Sequence, residues 1–174
     1  MLRVVLMVVS GIALIALAAW GYGLTLPREH RAVSQIALSA PIDSVWKVIR
    51  DVGGVTAWHK DFTRSDPAPA RNGHEVWTQE AAGQTMAIEL VEVTAPTRLV
   101  TEIVNDGSAP WGGRWGYELR ASGTGTVVTI TEDGWVGPAL FRTMMKLRGA
   151  HATMDAYLTS LAKRFGETAT PAHV

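Results

Sequence analysis

From Ala139 to Phe165 the apolar residues recur at alternating steps of four and three: Leu140, Met144, Leu147, Met154, Leu158, Leu161 and Phe165. His151 takes the remaining place on that face. A stripe of this length predicts one helix of 27 residues, about 40 Å long, that must bury a face against something large. Pro138 suits its first turn, Lys163 and Arg164 complement its C-terminal end, and Gly166 can cap it.

The partner is predicted by the segment before it. From Thr63 to Trp135 the period changes to two, in runs rich in β-branched and aromatic residues: His74–Glu80, Thr85–Val93, Arg98–Val104, Arg114–Ala121 and Thr126–Trp135. Short turn segments separate them, so an antiparallel meander is expected. Trp115, Tyr117, Leu119 and Ala121 alternate with Arg114, Gly116, Glu118 and Arg120, which gives one buried face and one wet face. The G-x-G of Ser122–Gly125 joins two strands with no helix after it, and reads as a hairpin turn instead of a phosphate cradle. Upstream, Ile36, Leu38 and Ala40 mark a first strand. Ile42, Val45, Trp46, Ile49 and Val52 then mark a short amphipathic helix that Gly53 and Gly54 break, and a brief second helical turn follows around Val55–Phe62. A single sheet cannot leave its apolar face wet, and the C-terminal helix is the element large enough to cover it.

The N-terminus carries a different signal. Val4 to Leu24 is an uncharged apolar run of 21 residues, enough as a helix to cross the ~30 Å hydrocarbon core of a bilayer. Trp20 and Tyr22 near its end fit an interfacial belt. Ala16-Leu17-Ala18 would also serve as a signal-peptidase site, but the apolar run continues past it, which favours an uncleaved anchor. Arg3 on one side nearly cancels Arg28 and Arg31 on the other, leaving the side of the membrane open, with an extracytoplasmic domain as the leaning. The expected organisation is a transmembrane helix over residues 1–24 (or a signal peptide), a linker over 25–31, a ligand-binding domain over 32–166 and a flexible tail over 167–174.

Acidic and basic residues balance at 16 each, with no basic stripe to suggest a nucleic-acid partner. The absence of cysteine excludes disulfides, thiolate catalysis and Cys-ligated metals. No Ser-His-Asp order, paired-carboxylate motif or H-E-x-x-H spacing is present, so no metal and no cofactor is expected.

The residues Ser39–Asp61 ("SAPIDSVWKVIRDVGGVTAWHKD"), Gly113–Asp133 ("GRWGYELRASGTGTVVTITED") and the terminal helix ending "MDAYLTSLAKRF" resemble the SRPBCC superfamily, the START and Bet v 1-like helix-grip domains, in the branch of polyketide cyclases/dehydrases and lipid transport proteins. The likeness covers nearly all of residues 32–165. It implies an α+β fold in which a curved antiparallel sheet of about seven strands, with two short helices after the first, wraps a long C-terminal helix. It also implies an apolar cavity between sheet and helix for a lipid, sterol, polyketide or similar molecule. The transmembrane helix is an addition to that domain.

Within this expectation His151, near the middle of the stripe, faces the cavity. It reads either as a polar handle or general acid/base in an apolar pocket, or as a core histidine whose nitrogens are satisfied. Its candidate partners are Glu132, turned inward with Val128 and Ile130, and Glu102, turned inward with Val100 and Val104. His59 is a second candidate at the cavity mouth, read as a solvated loop residue. Trp58, Trp77, Met86, Trp111, Trp115, Tyr117, Met144, Leu147, His151 and Met154 form the expected ligand-binding set, because Trp and Met adapt to irregular apolar ligands. The Gly-rich segment Asn105–Trp115 reads as a flap with Trp111 at its tip, or as a plain connection.

Three functions follow as expectations. The leading one is a membrane-anchored binding or carrier module for a lipid or other hydrophobic small molecule. The second is a cyclase/dehydratase-like enzyme using His151 with Glu132 or Glu102. The third is a protein-interaction domain without a cavity. The lack of a catalytic constellation leans away from an enzyme.

Overall fold

The computed structural model describes residues 1–107 and 109–174. Helix α1 (Leu2–Thr25) leads into strand β1 (Glu29–Leu38). Helix α2 (Ile42–Arg50) and a 3-10 turn (Gly53–Ala57) follow. Six strands come next: β2 (Phe62–Arg71), β3 (His74–Ala81), β4 (Gln84–Thr94), β5 (Arg98–Ile103), β6 (Trp111–Ser122) and β7 (Gly125–Val136). Helices α3 (Ala139–Arg148) and α4 (Ala152–Arg164) and a two-residue strand β8 (Ala172–His173) complete the chain. All strands form one antiparallel sheet in the order β2-β3-β4-β5-β6-β7-β1-β8. This is the expected helix-grip α+β fold, with the meander running in sequence order and β1 closing against β7.

Pairing register fixes which side chains share the inner face. One row reads Ser34, Ile130, Tyr117, Leu99; the next reads Ala32, Glu132, Trp115, Thr101, Leu90; a third crosses β3 to β5 as Trp77, Ile88, Ile103. From α2, Val45 and Ile49 pack with Leu119, Val128 and Ile130 in the core, and from α4 Met154, Leu158 and Leu161 are fully buried there.

Three expectations need correction. The C-terminal stripe is not one helix: Gly149 adopts φ 94°, its N–H closing on the Met145 carbonyl at 2.9 Å, and His151 begins a new helix. A positive φ is open to glycine at little cost and ends a helix, so the apolar period continued across a break that the glycine itself marked. The expected linker is partly strand, since β1 begins at Glu29 and Arg31 is bonded to Asp133 of β7. The expected tail is tied down: Glu167 accepts the Ser39 backbone N–H at 3.0 Å, and Ala172 and His173 pair with Gln35 and Ser34.

Candidate functional site

Beneath α4 the sheet carries a knot of aromatic rings. Tyr157 lies 5.1 Å from Trp58, 5.9 Å from Trp115, 5.6 Å from Tyr117 and 5.7 Å from His59, centroid to centroid. Edge-on and tilted contacts of this kind are favourable beyond the area they bury. Met154 and Leu158, fully buried beside it, join the knot to the core under α4.

Polar atoms at this knot are few and neutral. Burial is the main reason that the Tyr117 phenol is pushed well above its ordinary pKa; the Tyr157 and Thr101 hydroxyls act against it, and the Glu132 charge adds to it. Burial raises Tyr157 as well, reinforced by Tyr117. Both phenols therefore stay protonated at neutral pH and serve as hydrogen-bond donors, not bases. His59, expected in solvent, is 3 % exposed, with its Nδ1 accepting the Asp61 backbone N–H at 3.3 Å. Burial lowers its pKa despite the opposing pull of Asp61.

Next to the knot the inner face opens. Trp77, Met86, Ile88, Ile103 and Trp115 are only half-buried, whereas α2 lies mainly against β6 and β7, α4 against β1 and α3 against α1. The Trp77 indole is fixed by an N–H donated to Glu75 at 2.6 Å and by close approach to Gly53, where a Cβ would stand 2.9 Å from the ring. Burial opposes the charge on Glu75, but the Arg50 guanidinium at 2.5 Å and the Trp77 N–H outweigh it and hold the carboxyl below its usual range. The result is a strip of partly exposed apolar side chains on the inner face of β3–β6, the candidate groove, with the two buried phenols and Thr101 at its inner end. At its rim sits a polar pair, His30 Nε2 and Glu132 Oε1, 3.5 Å apart.

Sequence reasoning placed some of these residues and missed others. Trp58, Trp115 and Tyr117 join the knot, Met86 and Trp77 lie along the groove, and Met154 is core. Glu132 faces inward as expected, yet its histidine is His30, brought opposite Gly134, where a side chain would strike the imidazole. Tyr157 went unnoticed because it breaks no pattern, and Thr101 because a phase with Val100 inward turns it outward; only the register reveals that both meet Tyr117.

Four site expectations fail. Glu102 points outward and pairs with Arg114 at 2.6 Å, since its row neighbours are Glu89 and Arg114. His151 sits at the break between α3 and α4, its Nδ1 3.2 Å from Ser34 Oγ and its ring stacked 3.8 Å from His173, so among the described residues no hydrogen bond joins it to Glu132 or Glu102. Met144 and Leu147 project from α3 and are 57 % and 81 % exposed, because α3 leaves the sheet to pack on α1. Trp111 pairs with Val136 as the first residue of β6 instead of tipping a flap, and Ser108 of that segment lies outside the described residues. A separate cavity of about 370 Å³ over one end of β5, β6 and β7 is walled by the ion-paired Glu102, Arg114 and Asp133, together with Gly112 and Trp135, and is too polar to be the expected greasy chamber.

Comparison with known proteins agrees with this fold. A family described as "Polyketide cyclase / dehydrase and lipid transport" matches residues 29–166. No curated protein matches. Among solved structures, a conserved protein from Geobacillus kaustophilus is similar at TM-score 0.65 and 13% identity, covering 83% of this chain and 100% of that one. The Zhui aromatase/cyclase from Streptomyces sp. R1128 is similar at TM-score 0.60 and 16% identity, covering 78% and 93%. The di-domain aromatase/cyclase StfQ from the steffimycin biosynthetic pathway is similar at TM-score 0.63 and 9% identity; the match covers 80% of this chain and about half, 52%, of that one. At these identities the likeness is one of fold.

Proposed function

Because the chain belongs to the polyketide cyclase/dehydrase and lipid transport family, we propose that it is a membrane-anchored binding or carrier domain for a hydrophobic small molecule with one polar end. The observation that carries this reading is the half-buried row Trp77, Ile88, Ile103 beside Trp115, ending at the protonated Tyr117 and Tyr157. Large apolar side chains left partly wet on the inner face of a sheet gain from covering, at about 25 cal/mol per Å². The neutral Tyr117 phenol, held by Tyr157 and Thr101, offers a donor to a ligand carbonyl or hydroxyl at one end without demanding charge. Helix α1, long and apolar enough to cross a membrane, supports anchoring where such ligands partition. An acid/base reading through His151 is not supported, since its partners are Ser34 and His173.

Native mass spectrometry of the full chain in detergent, after exposure to a total polar lipid extract, tests the proposal. One bound molecule retained by the wild type and lost by Ile103→Glu, with circular dichroism unchanged, is expected. A bare mass throughout, or identical adducts on both proteins, would overturn it.

A further inference from the structure

Helix α3 keeps only two side chains buried, Ala139 and Thr143, and both meet α1. The contact is close because it is made by small groups: Gly23 is the one buried residue of α1, and a Cβ there would stand 1.9 Å from the Ala139 carbonyl oxygen. Two hydrogen bonds lock it, from Thr143 Oγ1 to the Ala19 carbonyl at 2.6 Å and from Arg142 Nη1 to the Leu26 carbonyl at 2.8 Å. The remainder of α3 has no such cover. Leu140, Phe141, Met144 and Leu147 are all exposed, and at 100° per residue they fall within an arc of about 120°.

From these placements we infer that α3 is a second membrane contact, an interfacial helix whose apolar arc the lipid bilayer covers; this rests on the reading of α1 as a membrane span. Three observations select a bilayer as the occupant. The bare arc is continuous with the bare surface of α1, to which α3 is locked. The contact reaches Ala19, six residues before the end of α1 at Thr25, hence about 9 Å along the axis, at the level of the half-exposed Trp20 and Tyr22 that suit a headgroup boundary. Lys146, exposed on the side of α3 opposite the arc, gives the helix the polar face that an interfacial helix turns to water, and Arg148, exposed at its C-terminal end, can reach lipid phosphates. Gly149 then turns the chain back from the bilayer to α4 on the sheet. The domain is thereby seated on the membrane by two helices, not swung from one.

The chain has no cysteine, so single introduced thiols report cleanly. Full-length Leu14→Cys, Val93→Cys, Met144→Cys and Leu147→Cys are each labelled with an environment-sensitive fluorophore and reconstituted in phosphatidylcholine–phosphatidylglycerol vesicles containing a spin-labelled lipid. Blue-shifted emission quenched by the spin label is expected at 14, 144 and 147, with none at 93 on the sheet. Water-like emission at 144 and 147 with quenching at 14 would overturn the inference and leave the span standing. Water-like emission at 14 as well would overturn both. Shifted but unquenched emission at 144 and 147, with disulfides forming between molecules when the same two variants are left unlabelled and oxidised, would overturn it in favour of a second copy.

Discussion

Helices α3 and α4 come from one periodic stripe, apolar but for His151, yet they serve opposite environments. In α4, Met154, Leu158, Leu161 and Ala162 are buried to the last atom or nearly so against the sheet. In α3, the residues of the same stripe, Leu140, Met144 and Leu147, are exposed, and the buried face is the small-residue edge of Ala139 and Thr143 against α1. Periodicity reports that a helix has an apolar face; it does not report what that face meets. Gly149 decides the division, because beyond it α4 follows β1 while α3 follows α1.

The largest break of this comparison pairs Leu158→Ala with Leu147→Ala in denaturant titrations of the full chain in detergent. Loss of the fully buried Leu158 should cost about 2–5 kcal/mol, whereas Leu147→Ala should stay within about 0.5 kcal/mol. Equal losses would mean that both halves grip the sheet. A smaller effect is expected from Ser34→Ala. The Ser34 hydroxyl is fully buried, donates to Asp155 Oδ1 at 2.8 Å and meets His151 Nδ1 at 3.2 Å, so its removal should lower stability by about 1–2 kcal/mol and loosen the start of α4, read as faster amide exchange there than in α3. Gly149→Ala comes next: at φ 94° an alanine is strained, and a loss of about 1 kcal/mol is expected. A gain in stability would instead indicate that α3 and α4 prefer to fuse into one helix.

The smallest effect is a slope with pH. His59 packs on Tyr157 of α4, and burial lowers its pKa in the folded chain. Above the unfolded value of about 6.5 both states hold a neutral ring, and the group contributes nothing to the pH dependence. As pH falls below that value the unfolded chain takes up the proton first, so stability declines until the folded pKa is reached. The unfolding midpoint of the wild type should therefore fall over that window more steeply than that of His59→Gln, and parallel curves would show that the ring is not sequestered against α4.

The meander, the two short helices and the apolar N-terminal helix were legible because each rests on local period or composition. The face of Glu132 was legible from its alternation with Val128 and Ile130. Glu102 was not, because the same alternation rule needs a correct starting residue: Val100 is buried on the outer side, opposite the irregular pairing of Leu90 to Glu92. The pairing of His30 with Glu132 and the meeting of Tyr117 with Tyr157 depend on register between segments far apart in the chain, which no local pattern encodes. The capture of α3 by α1 depends on Gly23, Ala139 and Thr143, three small residues that read as unremarkable until two helices are laid together.

Photo-crosslinking separates the two apolar surfaces most directly. The full chain, reconstituted in vesicles, is exposed to a fatty acid bearing a diazirine on its chain, irradiated and mapped by peptide mass spectrometry. Labels on Trp77, Met86, Ile88, Ile103 or Trp115, in addition to those on α1 and α3, are the expected result and would establish occupancy of the groove. Labels confined to α1 and α3, with the inner face of β3–β6 clean at saturating probe, would contradict a hydrophobic ligand in that groove.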